Sequence, residues 1–401
     1  MPTVLNSRHL LFRTVSLRYL TRYHWAMLVK RRLTVSKIAA SFAVLTLCVI
    51  VSSCGHSEAS PAVPAPSMDL IMQAVDDYGR GHQSSVLPPP SSPIPLETED
   101  EYMAKIKEAL IESDFAQLEK MAQQNRTERG LLLGGIWKNN AFYNQLSSPI
   151  SSGTETDEDY QNQITRLKQW ITAYPDSATP RIAMARLFTA YAFFARGDGY
   201  ADSVSTSQWN LYNERNISAE EYLLDAAHLK DRDAHWYEAM QHIAFQVGWD
   251  KPSALDLLNH AVAFEPSYYH YYREYADYLE PQWYGEAGEI AKYAEQASLQ
   301  LHDPDASILY FRITSTLACN CEPQIADLPG LNWPKFKSGY SEVIRLYGPS
   351  NLNANRLAWM AFKFGDKVTA QQAFGSIDHM EMSVWWGPHT FANARDWANT
   401  P

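Results

Sequence analysis

The sequence predicts an all-α body of stacked helical hairpins, set behind a targeting segment and a Pro-rich tether. Three observations carry this. Apolar residues recur at helical spacing in nearly every segment after Glu97, and no stretch sustains the alternation of a strand. Pro- or Asp-bearing breaks then separate the helical segments at a recurring interval.

Residues 1–53 read as a targeting segment with its natural start at Met27. Lys30, Arg31, Arg32 and Lys37 precede an apolar run at 38–51 that only Ser41 and Thr46 interrupt, and Val51-Ser52-Ser53-Cys54 closes it. A run of about 14 residues falls short of the ~20 that cross lipid and suits the core of a signal peptide. Basic region, apolar core, small residues and Cys is the layout of a bacterial lipoprotein signal. Cys54 is then the lipid-bearing mature N-terminus. Gly55 follows it instead of an Asp that would retain the protein in the inner membrane, so the outer membrane of the envelope is expected.

Removing 1–53 takes away eight basic residues and no acidic ones. The totals fall from 34 basic and 45 acidic to 26 and 45, so the net charge moves from −11 to −19. Such a body is repelled by phosphate backbones, and a nucleic-acid partner is excluded.

Residues 54–96 turn to Ser, Pro and Ala, with Pro61, Pro64 and Pro66 before one short helical candidate at 68–78 and Pro88-Pro89-Pro90 after it. Pro-rich chain favours extended conformations, so a tether is expected. The body at 97–401 begins with a helix at 101–112, carrying Tyr102, Ile106, Ala109 and Leu110 on one stripe. A second follows the Ser113-Asp114 cap with Phe115, Leu118, Met121 and Ala122. Further helices are predicted at 157–174, 180–195, 219–229, 236–247, 253–264, 268–279, 286–300, 305–318, 336–347, 354–364 and 367–377. Residues 195–217 form an irregular connection in this reading.

Tyr174-Pro175, Asp231-Arg232-Asp233, Glu265-Pro266 and Asp303-Pro304 each close a helix before a new pair begins. The later intervals, about 35 and 38 residues, approach the length of a tetratricopeptide hairpin. Ala254, Leu258, Ala261 and Pro266 match the small, large, small and Pro positions of its second helix. A single hairpin cannot bury its apolar face alone, so stacking supplies the core.

From Leu110 to Trp397 the chain resembles an uncharacterised bacterial domain-of-unknown-function family built on tetratricopeptide-like helices. The likeness rests on the order of several pieces. Phe115, Leu118, Ala122 and Arg126 come first, then Trp137-Lys138, Trp170 with Tyr174-Pro175-Asp176-Ser177, and Arg181-Ile182-Ala183. Ala195-Arg196-Gly197, Trp236-Tyr237, Gly248-Trp249, Leu279-Glu280-Pro281-Gln282-Trp283 and Trp385 complete it. Tyr284 interrupts the Trp-Gly that usually follows the Pro, and the Cys319/Cys321 pair has no counterpart. The resemblance implies fold and modular character, and no reaction.

Candidate chemistry is sparse. No phosphate-binding Gly-rich loop, nucleophile elbow or metal-spacing cysteine cluster occurs, so no catalytic, cofactor or metal residues are assigned. His235, Glu238 and His242 share a helix face, which reads as exposed or hydrogen-bonded rather than zinc-binding. Cys319 and Cys321, one residue apart, are a candidate disulfide of small, strained geometry. Tyr268, Tyr272, Trp283 and Tyr284 load one helix and its exit with rings, and Arg196 and Trp209 border the long connection. These six form a candidate interaction surface, because Tyr and Trp combine rigid area with a polar handle. The competing reading makes the rings wedges between helices and Arg196 a brace for its own loop.

The expected function is therefore a lipid-anchored envelope scaffold that binds a protein or peptide. The alternatives are a carbohydrate-active enzyme using carboxylates such as Asp277, Glu286 or Glu289 near Trp283, or a structural lipoprotein that touches the cell wall.

Overall fold

The computed structural model describes residues 66–82, 97–197, 201–281, 283–299, 301–318, 328, 330–385 and 387–400. The signal, Cys54, and the Cys319/Cys321 pair lie outside them. The described residues form sixteen α-helices and no strand; one isolated bridge joins Leu131 to Trp137. The all-α class holds. Among the described residues no helix is long and apolar enough to cross a membrane.

The helices are α1 Met68–Gly79, α2 Glu99–Ile111, α3 Phe115–Glu128, α4 Lys138–Leu146, α5 Asp157–Ala173, α6 Thr179–Arg196, α7 Thr206–Ala227 and α8 Ala234–Val247. The second half comprises α9 Lys251–Phe264, α10 His270–Tyr278, α11 Glu289–Ser298, α12 Asp305–Thr314, α13 Trp333–Tyr347, α14 Asn351–Phe364, α15 Lys367–Phe374 and α16 Pro388–Asn399. Starts follow capping chemistry. Thr98 and Glu101 form a capping box on α2, as do Thr156 and Asp159 on α5, satisfying backbone donors that the first turn leaves free.

Two helices are buried nearly all round. On α6, Thr179 through Leu187 are all buried, and on α8 His235 through Phe245 are. A helix covered on every side sits at the centre. Around them α6, α8, α10 and α12 touch in series, while α7, α9 and α13 pair with α6, α8 and α12. The α12–α13 pair is close because Gly339 lies against the backbone carbonyl of Ser307, where any Cβ would collide.

Four expectations need correction. The connection at 195–217 is mostly helix: α7 begins at Thr206 because Ser205 and Gln208 form a capping box. The α4 and α16 helices were not expected. Their sequences give weak stripes, and packing rather than pattern holds them, α4 being buried at seven of nine positions. The tether reading also fails locally. Within residues 54–96, α1 is part of the body: Ile71, Val75 and Tyr78 are buried, and Tyr78 stacks on Trp236 with ring centroids 4.2 Å apart.

The chain also closes on itself. Residues 130–137 turn through Gly134 and Gly135, both at positive φ (73° and 71°), a conformation glycine adopts without strain. The turn is held by Arg312 of α12, whose Nη2 donates to Gly134 O at 2.6 Å and Gly135 O at 3.1 Å. Gly134 also rests against Ser350 at the start of α14. The segment between α3 and α4 thus meets α12 and the start of α14.

Candidate functional site

Two polar clusters lie inside this apolar body. The first joins α1, α3, α4, α8 and the turn before α10. Asp233 caps α8 by accepting from His235 N at 2.9 Å. Its carboxylate also accepts from Asn139 Nδ2 at 2.7 Å and from the Tyr143 hydroxyl at 2.8 Å, with Arg126 Nη1 3.6 Å away. One turn on, Glu238 accepts from Asn140 Nδ2 at 2.7 Å, from the Tyr268 hydroxyl at 2.6 Å and from His235 Nδ1 at 2.7 Å. Burial works to raise the Glu238 pKa, but His235, with His270 and Arg186 beyond it, prevails and holds the carboxyl well below the ordinary range. Asp233, His235 and Glu238 are each at most 2% exposed, so no ligand reaches them. The His235 face is hydrogen-bonded, and the exposed form of that expectation does not occur.

The second cluster lies where α10, α12, α14 and the start of α2 converge. The polar face of α10 presents Arg273 and Asp277, and Glu280 follows its end; all three are half-buried. Arg273 Nη1 donates to Arg312 O and Ser315 Oγ, both at 2.8 Å. The Arg312 guanidinium lies 4.2 Å above the Tyr269 ring. Arg356 of α14 is within electrostatic reach of Arg273, Arg312 and Asp277. Burial lowers the pKa of Arg312 and Arg356, and the neighbouring guanidinium groups lower both further. Burial likewise raises Asp277 and Glu280, and brings Glu99 of α2 up to about 7 with help from Asp100 and Glu381. Perturbed groups gathered in one accessible place mark a candidate site.

A third feature is a cavity of about 440 Å³ between α2 and α3, lined by Glu97, Glu108, Glu112, Asp114 and Glu128 with Lys105 and Lys138. Tyr102 and Asn125 form its floor, the Tyr102 hydroxyl donating to Asn125 Oδ1 at 2.9 Å.

The six expected surface residues divide. Tyr268 is fully buried, its hydroxyl committed to Glu238, and Tyr272, 9% exposed, donates to Pro266 O. Arg196, 3% exposed, donates to Gly197 O at 3.1 Å and lies 5.4 Å from the Trp209 ring. These three offer little surface to a partner, because their polar atoms serve neighbouring backbone and side chains. Trp209, Trp283 and Tyr284 remain half-buried. Trp283 meets Phe245 edge-on at 4.9 Å, and Tyr284 stacks on Tyr278 at 4.5 Å. Of the carboxylates named beside Trp283, Glu286 is exposed and Glu289 pairs with Lys251 at 2.8 Å, leaving Asp277 with Glu280.

Sequence reasoning missed Arg273, Arg312 and Arg356. A signal was present: Arg312 stands in Leu309-Tyr310-Phe311-Arg312-Ile313, a charge inside an apolar helical run. Long charged side chains are almost never buried without a role. Comparison with family models, with curated proteins and with solved structures returned no match.

Proposed function

We propose that the protein is a lipid-anchored component of a bacterial envelope, directed to the outer membrane through Cys54, that binds a protein or peptide on tetratricopeptide-like helical hairpins. The family resemblance belongs to the same reading. Its main support is the layering: α6, α8, α10 and α12 stack in one row, and α7, α9 and α13 back them. In such solenoids each unit contacts its neighbours and leaves grooves for extended ligands. The acidic cavity between α2 and α3 suits a basic segment of the partner.

Two experiments test this. Palmitate labelling should follow wild type and vanish in Cys54→Ser; a normally lipidated Cys54→Ser product would sink the anchor. Glu108 and Glu112 are exposed, so reversing both to Lys should leave the melting temperature unchanged. The reversal should abolish binding of a basic partner identified by cross-linking in native envelopes. Equal binding by the reversed variant would remove the acidic cavity from the reading. A hydrolytic role finds less support, since Glu286 is exposed, Glu289 pairs with Lys251, and Asp277 lies within electrostatic reach of Arg273 and Arg356.

A further inference from the structure

We propose that Arg273, Arg312 and Arg356 form a binding site for a small phosphate-type oxyanion, independent of any peptide groove. Three guanidinium groups converge from α10, α12 and α14 in the interior of a chain whose net charge is −11. Among the described residues, none of the three has a carboxylate oxygen within 4.0 Å, whereas Arg126, Arg129 and Arg181 elsewhere in the body do. Asp277 of α10 and Glu99 of α2 lie within electrostatic reach of Arg356, but burial pushes both carboxyls towards the neutral form, so they do not balance three mutually repelling guanidinium groups.

The donors are already oriented. Arg312 is 4% exposed and fixed by Gly134 O, Gly135 O and the Tyr269 ring, yet its Nε is buried without a hydrogen-bond partner. The Nε of Arg356 is likewise unpartnered, as is Nε2 of His270, which lies within electrostatic reach of Arg273 and Arg312. Gly134 places the turn against Ser350 and Asn353, and Arg356 is one helical turn beyond Asn353 on the same face of α14. Arg273 and Arg356 are half-buried, which gives the site an approach from solvent. Three cationic donors from separate helices suit a tetrahedral dianion, whose oxygens point in several directions, better than a planar monoanion.

The test is a thermal melt of the full-length protein in phosphate-free buffer, with inorganic phosphate titrated at constant ionic strength. Phosphate should raise the wild-type melting temperature by a few degrees and saturably. Arg356→Gln should lose that rise. Without phosphate it should melt no lower than wild type, because it removes one of three mutually repelling charges. Equilibrium dialysis of wild type with labelled phosphate should give one site per chain, a readout that needs no variant. The proposal is overturned by any of four results. These are no saturable rise, an equal rise in Arg356→Gln, a lower melting temperature for that variant without phosphate, or an equal rise from acetate.

Discussion

Asp233 shows how much one residue organises here. It caps α8, binds Asn139 and Tyr143 of α4, and faces Arg126 of α3; its backbone N donates to the Tyr78 hydroxyl of α1 at 2.8 Å. Removing the carboxylate leaves the buried donors Asn139 Nδ2, the Tyr143 hydroxyl and His235 N without that acceptor, and takes one of two nearby carboxylates from Arg126. Asp233→Ala should therefore cost about 3 kcal/mol or more, read by denaturant unfolding. An effect within measurement error would show the network to be ornamental. Glu99 gives a pH test with a definite sign. Its pKa rises from 4.5 to about 7, so the folded state holds the proton more tightly than the unfolded one. That contribution is complete below the ordinary carboxylate pKa and is lost as pH climbs through about 7. Across that window the melting temperature of Glu99→Gln should fall less than that of wild type; parallel profiles would refute the burial argument. Trp283→Ala should lower the melting temperature, since the ring packs on Phe245 and donates to Glu280.

At the scale of elements, α1 is the instructive case. Its stripe of Ile71, Val75 and Tyr78 was visible in the sequence, and Ser67 caps it as expected of a helix start. Its surroundings are rich in Pro, which made the whole region read as a tether. What decides its place is the surface it covers: the Tyr237 hydroxyl donates to Val75 O at 2.9 Å, and Tyr78 stacks on Trp236. A chain truncated to begin at Glu97 should lose stability and expose this surface, and added peptide 66–82 should restore the melting temperature. A truncated protein as stable as the full chain would contradict the packing. For α7 the lesson is milder. Ser205-Thr206-Ser207-Gln208 carries the capping pattern, but the Asn- and Ser-bearing turns after it gave no clear stripe. Ser205→Ala should cost about 1 kcal/mol.

For the whole molecule the decisive contact is closure, in which Arg312 grips a turn 177 residues away. A side chain at Gly135 would meet Arg312 Nη2 and the Tyr347 ring, on a backbone at φ 71°. Gly135→Val should thus open the junction, seen as faster hydrogen exchange in both α2 and α13. Unchanged exchange in either helix would mean that closure does not depend on this turn.

By itself the sequence determined most of the helices, though not α4, α16 or the first half of α7, because apolar spacing and caps are local and survive without a partner. Leu118, Leu258 and Phe336 declared their faces in this way and are buried. The pattern could say that Arg312 and Arg356 lie on helices; it could not say that these helices meet. Tertiary structure alone decided the arginine cluster, the burial of α1 and the sharing of Asp233 among four helices. Each joins residues far apart in sequence through packing and electrostatics at short range, and no local periodicity encodes which distant surfaces will meet.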